Sequence, residues 1–493
     1  MNLEEMIAQN PWWRDPSAVD SDPKIMEFNR SKIKWIPRTK AFIKTDKNRI
    51  YTLRGPRQVG KTTLLKLIIK ELLSSGANPR SILYLTCDLF VRNQQIVETI
   101  DRYFDFTKRL GETVHRCIIL DEISSIEKWE LAIKHLADSG KLANTTMILT
   151  GSHSIDLKYS SERLPGRRGE GEETVNKILA PMKFAEFVET VNPALAKNLS
   201  SIIFLKREER LRIFSELFNG QIDSRIEDEL VLYKKDLEIV LDDYIVTGGI
   251  MRAIEQFHKT DKISNGTYEI YVRSMIGDLG RWRFQENIAK QILRASIEKM
   301  TTAVSLNSIA KENEIGSHNT VSSYLDALED SFVLDTLYQA KLDDGLPVYK
   351  RQRKLYFVDP FILHAIKGWI HGTNDYFQLS QNYLVNEVEK SKMIEMIVAG
   401  HLIRCLYNLS PSDVFSHRDR LFFWKSKKTG REVDFVMKHN GLHPVEVKYQ
   451  KDVDKRDLQN LFSFGRGVIV SRNAIWTYKH YAAIPAEMFL MLV

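Results

Sequence analysis

The stretch NRIYTLRGPRQVGKTTLLKLIIKELLSSG, residues 48–76, decides the fold of the first part of the chain. It passes from a short apolar strand through a glycine-bounded loop into an amphipathic helix, which is the setting in which a GxxxxGK[ST] sequence binds phosphate. Backbone N–H groups from Arg57 to Lys61 can surround a β-phosphate at the helix N-terminus, where unpaired donors and the helix dipole favour anions. The sequence therefore predicts a nucleotide site.

Within this loop, Lys61 is expected to reach the β- and γ-phosphates of ATP, and Thr62 to bind Mg²⁺. The predicted ATP-binding residues are Gly55, Pro56, Arg57, Gln58, Val59, Gly60, Lys61, Thr62 and Thr63.

The segment RCIILDEI, residues 116–123, is an apolar strand that ends in two acidic residues. Asp121 is predicted to hold Mg²⁺ through water, and Glu122 to orient or deprotonate the attacking water. Acidic residues at strand ends are also common caps, but the phosphate loop upstream favours the catalytic interpretation.

Two further apolar segments, SILYLTCD (81–88) and TTMILTGS (145–152), are typical of strands buried in a parallel sheet. This arrangement is similar to the branch of phosphate-loop ATPases that carries an additional catalytic glutamate. Thr150 and Ser152 then lie where that branch has a γ-phosphate sensor. The alternative is that they are ordinary turn residues.

The segment SERLPGRRG, residues 161–169, places three arginines in a Pro/Gly-rich loop. We predict an arginine finger among Arg163, Arg167 and Arg168, which could act across a subunit boundary. The alternative is an exposed or substrate-facing basic loop.

Length and composition bound the remaining possibilities. A chain of 493 residues exceeds the roughly 250 to 300 residues at which one core stops growing, so several domains are expected. Its 43% hydrophobic and 27% charged residues are typical of a soluble globular protein. Cys87, Cys117 and Cys405 are predicted to be reduced core residues, and the lack of a long apolar run predicts a cytoplasmic protein without a membrane span.

The net charge of +7 is modest, but basic residues are concentrated in VYKRQRK (348–354) and HRDRLFFWKSKKTGR (417–431). Both segments are predicted to follow a nucleic-acid backbone, and Phe422, Phe423 and Trp424 to stack on bases. The alternative for each is a solvated charged face.

Near its end the chain contains REVDFVMKHNGLHPVEVKY, residues 431–449, which predicts a β-hairpin. A two-residue turn at Asn440 and Gly441 would pair Asp434 with Val447. A three-residue loop with Gly441 in the left-handed conformation would instead pair Asp434 with Glu446. A metal site requires the second register.

In that register Asp434 and Glu446 are predicted to bind Mg²⁺, or Mn²⁺, which relieves the repulsion between them. The metal could then activate water, and Lys448 could stabilise the developing phosphate charge. The alternative is a salt bridge between Glu446 and Lys448 in a fold kept for binding DNA or protein.

Taken together, these motifs and three others, NPWW, LTGSHS and YIVTGG, resemble those of archaeal and bacterial AAA-type ATPases whose C-terminal half is similar to a PD-(D/E)xK nuclease. The resemblance implies a multidomain α/β protein: a phosphate-loop ATPase with a parallel sheet, a helical lid, a winged helix and a restriction-endonuclease-like domain. Glu395 resembles the first-helix glutamate of the nuclease family, which helps to bind metal or water; the alternative is a surface glutamate.

We expect domain boundaries as follows: an N-terminal segment 1–48, the ATPase core 49–182, the lid 183–285, the winged helix 286–368 and the nuclease-like domain 369–493. The second helix of the winged helix should begin after Ser317 and present His318, Asn319, Ser322 and Ser323 outward. The predicted wing carries Lys350, Arg351, Arg353 and Lys354. Trp12 and Trp13 could anchor the N-terminus on the core or on a neighbouring subunit.

The sequence therefore predicts an ATP-dependent enzyme that remodels or translocates DNA, including forked or junction DNA, and that carries a metal-dependent nuclease-like domain. A homo-oligomer, possibly a hexamer, is expected by analogy with AAA-type relatives. Two alternatives remain: an ATP-controlled switch in defence or signalling, and a DNA-binding ATPase whose nuclease fold is inactive.

Overall fold

The computed structural model describes residues 1–493 except 112, 152–156, 159–163, 165, 170–173, 343–344, 410 and 414. The chain divides into two compact units, which we call unit 1 (Met1–Ala180) and unit 2 (Pro181–Val493). Within the described ranges, no helix combines the length and the apolar character that a bilayer crossing needs.

Unit 1 is built on a parallel sheet whose described strands are ordered β2-β3-β4-β1-β5. The central strands are buried along their whole length, as expected when helices cover both faces. The strands are β1 (Arg49–Arg54), β2 (Ile82–Thr86), β3 (Arg116–Asp121), β4 (Thr145–Thr150) and β5 (Asn176–Ile178). The α-helices are α1 (Leu3–Gln9), α2 (Pro23–Arg30), α3 (Lys61–Ser74), α4 (Gln94–Phe106) and α5 (Trp129–Asp138). Short 3₁₀ helices span Pro11–Trp13, Pro16–Ser21, Arg38–Phe42, Pro79–Ser81, Lys108–Leu110 and Ile123–Ser125.

The register of this sheet brings the predicted motifs to one edge. Leu53 near the end of β1 pairs with Thr150 at the end of β4, and Thr86 at the end of β2 pairs with Asp121 at the end of β3. Because parallel strands all end at the same edge, the phosphate loop and the acidic pair must lie near each other.

The N-terminal segment covers the outer edge of β2 through side chains. Asn10 is fully buried; its Oδ1 accepts from the Tyr84 N–H at 2.7 Å and its Nδ2 donates to the Tyr84 carbonyl at 2.9 Å. The indole N–H groups of Trp12 and Trp13 both point at the Ile82 carbonyl, at 3.3 and 2.8 Å. These side chains replace a neighbouring strand and protect an edge that would otherwise be open to pairing. The NPWW motif therefore anchors the N-terminus on the core of its own chain.

Unit 2 contains a mixed sheet with the described strand order β12-β13-β11-β10-β9-β8-β6-β7. The strands are β6 (Leu334–Gln339), β7 (Arg353–Phe357), β8 (Leu421–Lys425), β9 (Glu432–Lys438), β10 (Leu442–Lys448), β11 (Gly467–Ser471), β12 (Trp476–Tyr478) and β13 (Tyr481–Pro485).

Helices precede and surround this sheet, and they include the region predicted as a lid. They are α6 (Phe184–Val191), α7 (Pro193–Asn198), α8 (Ser200–Ile203), α9 (Arg207–Phe218), α10 (Ser224–Leu232), α11 (Lys234–Thr247), α12 (Met251–Thr260), α13 (Asn265–Arg281), α14 (Glu286–Glu298), α15 (Leu306–Glu312), α16 (His318–Asp330), α17 (Pro360–His371), α18 (Tyr376–Val385), α19 (Glu387–Leu409) and α20 (Ala486–Leu492), with 3₁₀ helices at His417–Asp419 and Lys455–Phe464.

The predicted winged-helix region has the expected helices. Ser317 caps α16 by accepting from the Thr320 N–H at 3.1 Å, and His318 and Asn319 are exposed. However, β6 pairs with β8, so the two strands that follow α16 belong to the same sheet as the predicted nuclease-like region. The winged-helix identity and the domain boundaries remain predictions.

The TGG turn has a packing role within unit 2. Gly248 has φ of +58°, and a Cβ there would lie 2.0 Å from Asp359 Oδ1. Asp359 is fully buried, and its other carboxylate oxygen accepts from the Gly249 N–H at 2.8 Å. The glycines thus allow the backbone to meet a buried carboxylate, in agreement with a turn between helices.

Replacing Asn10 with Ala should weaken the edge of β2. The change leaves the Tyr84 N–H and carbonyl without their side-chain partner, which costs about 1–3 kcal/mol for each buried group. Amide hydrogen exchange within β2 should therefore accelerate by about tenfold or more. The exposed Asn29 on α2 offers a matched control, since Asn29→Ala should leave β2 protection unchanged. Equal protection of β2 in Asn10→Ala and the wild type would contradict this role.

Candidate functional site

The phosphate loop between β1 and α3 has a backbone that depends on glycine at two positions. A Cβ at Gly55 would lie 2.1 Å from the Leu179 carbonyl oxygen, and Gly60 has φ of +101°. Gln58 also has a positive φ, of 61°. The loop therefore closes tightly and delivers the chain to the N-terminus of α3 at Lys61, as its sequence predicts.

Lys61, Thr62 and Asp121 come together at the carboxyl edge of the sheet. Lys61 is buried, and its Nζ donates to the carbonyls of Gly55 and Pro56 at 2.9 and 3.0 Å. The Thr62 hydroxyl donates to Asp121 Oδ2 at 2.9 Å. The residues predicted to hold Mg²⁺ are thus in direct contact.

Asp121 also accepts a hydrogen bond that the sequence did not predict. The Tyr84 hydroxyl on β2 donates to the same Oδ2 atom at 3.0 Å. Burial raises the pKa of Asp121, while the hydrogen bonds from Thr62 and Tyr84 and the charge of Lys61 oppose that rise. The two hydroxyl groups therefore stabilise the ionised carboxylate.

A buried cation lies behind Tyr84. The Lys66 ammonium on α3 is 3.3 Å from the centre of the Tyr84 ring and pairs with Asp22 at 3.1 Å. Burial lowers the pKa of Lys66, and Asp22 and Asp121 act in the opposite direction. Tyr84 is thereby held between Lys66 and Asp121, and its position is fixed from both sides.

Glu122 follows in the left-handed conformation, with φ of 57° and ψ of 32°. Such a conformation is costly for a non-glycine residue and is frequent at active sites. The 3₁₀ turn after Glu122 packs against the end of β4, since a Cβ at Gly151 would lie 2.1 Å from Ser124 Oγ. Thr150 is fully buried, and its hydroxyl has no hydrogen-bond partner among the described residues. Ser152 lies outside the described residues.

The arginines of the predicted finger have different surroundings. Arg168 is buried; its guanidinium donates to the Ile50 carbonyl at 3.0 Å, to Asn176 Oδ1 at 2.6 Å and to Thr52 Oγ1 at 3.0 Å. These bonds tie the loop to β1, so the finger prediction is wrong for Arg168. Arg167 is partly exposed, and its Nε donates to Asp138 at 2.5 Å. Arg163 lies outside the described residues, and the finger and the oligomer remain predictions.

In unit 2, the β9–β10 hairpin has the register that a metal site requires. Val445 pairs with Phe435, which places Glu446 opposite Asp434 across a loop of three residues. The loop differs from the prediction in the residue that adopts the left-handed conformation. Asn440 has φ of 51°, whereas Gly441, for which that conformation was predicted, has φ of 129°. The observed pairs, from Leu442–Lys438 to Val445–Phe435, have the register that the sequence predicts for a three-residue loop.

A lysine ammonium contacts Asp434 at the position where a divalent cation was predicted. The Lys354 ammonium on β7 lies 2.8 Å from Asp434 Oδ1, 2.9 Å from Glu432 Oε1 and 3.3 Å from Glu395 Oε1. Lys354 is only 1% exposed. We call Glu395, Glu432, Asp434 and Glu446 together with Lys354 the Lys354 cluster.

Other polar groups complete the Lys354 cluster. The second oxygen of Asp434 accepts from the Val447 N–H at 3.0 Å, and Glu395 accepts from the Tyr356 hydroxyl at 2.6 Å. Glu446 Oε1 accepts from Asn460 at 2.8 Å and lies 3.9 Å from the Lys448 ammonium. Glu446 Oε2 is buried and has no hydrogen-bond partner among the described residues.

Three family models match the chain. The first, described as AAA domain, matches residues 47–188. Two domains of unknown function follow: DUF8612 matches residues 239–371, and DUF4143 matches residues 390–489.

An AAA-type ATPase domain occupies most of unit 1, and its match extends to residue 188 at the start of unit 2. The match covers the phosphate loop, Asp121, Glu122 and Thr150, which the sheet brings to one edge. We refer to residues 47–188 as the AAA domain.

Two relatives span most of the chain. The uncharacterized protein MJ1637 of Methanocaldococcus jannaschii is 25% identical over 467 residues, which cover 92% of this chain and 86% of the relative. An uncharacterized protein of Haemophilus influenzae is 24% identical over 427 residues, which cover 84% of this chain and 86% of the relative.

Among solved structures, the Walker-type ATPase PABY2304 of Pyrococcus abyssi has a TM-score of 0.36 at 13% identity and covers 64% of this chain and 91% of its own. The Orc1 protein of Aeropyrum pernix, solved in complex with DNA, has a TM-score of 0.29 at 11% identity and covers 75% and 94% of the two chains. These likenesses are slight.

The residues of the AAA domain fit ATP with Mg²⁺. The positive φ values at Gln58 and Gly60, the buried Lys61 at the start of α3 and the Thr150 hydroxyl, which has no partner among the described residues, suit a group rich in anionic oxygen atoms. Thr62 and Asp121 are hard oxygen donors already 2.9 Å apart, the chemistry that Mg²⁺ prefers.

The Lys354 cluster does not fit a divalent cation as it stands. An ammonium and a divalent cation cannot share the same carboxylate oxygens, and both oxygens of Asp434 already accept hydrogen bonds. Among the described residues, no group of three or more His, Cys, Asp or Glu side chains is arranged to hold a metal ion. The metal site at Asp434 and Glu446 therefore stays a prediction, and in this structure Lys354 contacts Asp434 instead.

The basic segments are also partly corrected. Arg353 and Lys354 are buried instead of riding on a wing, and Arg353 stacks 4.7 Å from the centre of the Tyr338 ring. Phe422 and Phe423 are fully buried because β8 is an interior strand, so they cannot stack on bases. The described residues that stay exposed in these segments include Lys350, Lys427, Lys428 and Arg431.

Tyr84→Phe should impair the AAA domain while keeping the ring beneath Lys66. Loss of the hydroxyl donor should raise the pKa of Asp121 further, so ATP turnover should fall by about tenfold. Because Asp121 must be ionised to hold Mg²⁺, activity should also be lost at a higher pH as the solution is acidified. Turnover measured against pH and Mg²⁺ concentration tests this.

Tyr103→Phe is the matched control, since the Tyr103 hydroxyl donates to the Arg80 carbonyl at 3.0 Å and not to Asp121. An acid limb and a Mg²⁺ dependence that are identical in Tyr84→Phe and the wild type would refute the role of Tyr84.

Proposed function

We propose that this chain hydrolyses ATP in its AAA domain and couples turnover to DNA bound by unit 2, without cutting the DNA. The observation that carries the proposal is the contact of the Thr62 hydroxyl with Asp121 beside the buried Lys61. A phosphate loop that binds nucleotide for structural purposes alone has no need of the acidic pair Asp121 and Glu122 at its mouth.

The residues of the AAA domain divide the work of hydrolysis. Lys61 binds the β- and γ-phosphates, and Mg²⁺, when held by Thr62 and Asp121, neutralises phosphate charge. Glu122 orients the attacking water or accepts its proton. The Thr150 hydroxyl ends β4 and has no hydrogen-bond partner among the described residues, which supports its assignment as the donor to a γ-phosphate oxygen.

DNA contact is proposed through exposed cations of unit 2. Lys427 and Lys428 lie in the turn between β8 and β9 and are exposed, as is Lys350 in the segment before β7. Lysines so placed suit phosphate contacts that carry no base information, which favours recognition of DNA shape over sequence.

The absence of cutting is proposed from the Lys354 cluster. Nuclease chemistry of the kind the sequence resembles needs a divalent cation to activate water, and Lys354 holds the carboxylates that would bind it. The second candidate is metal-dependent cleavage, which the pairing of Asp434 with Glu446 favours. That candidate requires Lys354 to leave Asp434 when metal and DNA bind.

Lys61→Ala should abolish ATP turnover, because it removes the cation that stabilises the transferring phosphate. A loss of about 100-fold or more is expected. Lys70→Ala, on the same helix at a partly exposed position paired with Asp20, is the matched control and should retain wild-type turnover. Phosphate release is the measurement, and hydrolysis that survives in Lys61→Ala would refute the site.

The coupling is tested by adding linear, forked and four-way DNA to the wild type with Mg²⁺ or Mn²⁺, and scoring phosphate release and strand scission together. The proposal expects stimulated phosphate release and intact strands. Unchanged turnover with no DNA binding contradicts the DNA proposal. Scission that disappears in Asp434→Ala supports the nuclease candidate instead.

A further inference from the structure

The Lys354 cluster gathers four carboxylates from separate parts of unit 2 around one ammonium. Glu432 and Asp434 share a face of β9, Glu446 lies opposite Asp434 on β10, and Glu395 comes from α19. Carboxylates brought this close repel each other unless a cation lies among them. Lys354 is the cation that contacts three of the four.

The contact atoms of Lys354 are those that a metal would use. Its ammonium lies within hydrogen-bond distance of Asp434 and Glu432, at 2.8 and 2.9 Å, and within 3.3 Å of Glu395. A hard divalent cation near this position would find oxygen donors from Asp434 and Glu395, and the register of β9 and β10 places Glu446 beside them.

One carboxylate oxygen of the Lys354 cluster, Oε2 of Glu446, receives no hydrogen bond from the described residues. The side chain is 6% exposed, one oxygen accepts from Asn460, and the other oxygen has no hydrogen-bond partner among the described residues. A buried carboxylate oxygen without a donor is costly, and it commonly marks a place for a ligand.

We infer that the Lys354 ammonium serves as a built-in cation that closes a divalent-metal site formed by Glu395, Asp434 and Glu446. In the wild type these residues bind no Mg²⁺ or Mn²⁺, and removal of the lysine charge uncovers a site for one such ion. The inference deepens the proposed absence of cutting and rests on that part of the proposed function, but it is independent of ATP hydrolysis.

The charges of the neighbouring groups agree with this assignment. Burial alone would lower the pKa of Lys354, but Asp434, Glu395 and Glu432 together raise it well above its usual value, so the ammonium is retained. Burial, then the charge of Asp434, raises the pKa of Glu395 to about 8 and that of Glu446 well above its usual range.

The test measures Mn²⁺ bound to nucleotide-free protein by the loss of the free-ion electron paramagnetic resonance signal. We expect Lys354→Met to bind one more Mn²⁺ per chain than the wild type, and the double variant Lys354→Met with Asp434→Asn to lose that ion. Lys390→Met is the matched control, because Lys390 is also a largely buried lysine paired with one aspartate, Asp242, at 2.6 Å, and it should gain no ion.

Lys354→Met leaves buried carboxylates without a counter-ion, so the variant could unfold. In that event Mn²⁺ should raise its thermal midpoint, since an ion that binds the folded state stabilises it. If Lys354→Met gains no bound Mn²⁺ and its thermal midpoint is not raised by Mn²⁺, the inference is overturned. A Mn²⁺ ion in the wild type that is lost in Asp434→Asn also overturns it, whereas failure of ATP turnover in the wild type would concern the AAA domain alone.

Discussion

The hydrogen bond from Thr62 to Asp121 is the interaction on which the nucleotide site depends. It joins the first turn of α3 to the end of β3, two elements that the parallel sheet places side by side. Tyr84 donates to the same oxygen, and the N-terminal segment holds the strand that carries Tyr84 through Asn10 and both tryptophans. The NPWW segment, the edge strand and the acidic strand therefore form one connected support for a single carboxylate.

Buried carboxylates occur in both units, and the two units satisfy them differently. In the AAA domain, neutral hydroxyl donors hold Asp121 and leave it able to serve a metal ion. In unit 2, the Lys354 ammonium lies among the carboxylates of the Lys354 cluster and stabilises them with its positive charge. We propose that such a group of acidic residues persists without a bound metal, because the cation that the carboxylates require is covalently part of the chain.

The sequence predicted what local spacing determines and missed what distant contacts determine. The phosphate loop, the strand ends and the Asp434–Glu446 register were predictable, because a loop of known length and a period of two fix which residues face each other. Lys354 was assigned to an exposed wing, since nothing local shows that β7 would join the sheet of β9. Phe422 and Phe423 were misread for a related reason: an interior strand buries both faces, so aromatic residues within a basic segment need not meet a ligand. The contact of Tyr84 with Asp121 was also missed, although the sequence offered a signal for it: Tyr84 carries a hydroxyl group in an otherwise apolar strand.

The most direct test of this account is a crystal structure of the chain grown with Mn²⁺ and a non-hydrolysable ATP analogue, with the manganese located by anomalous scattering. We expect a manganese peak beside Thr62 and Asp121, and Lys354 in contact with Asp434 with no peak there. A second manganese ion between Asp434 and Glu446, with Lys354 displaced, would contradict it.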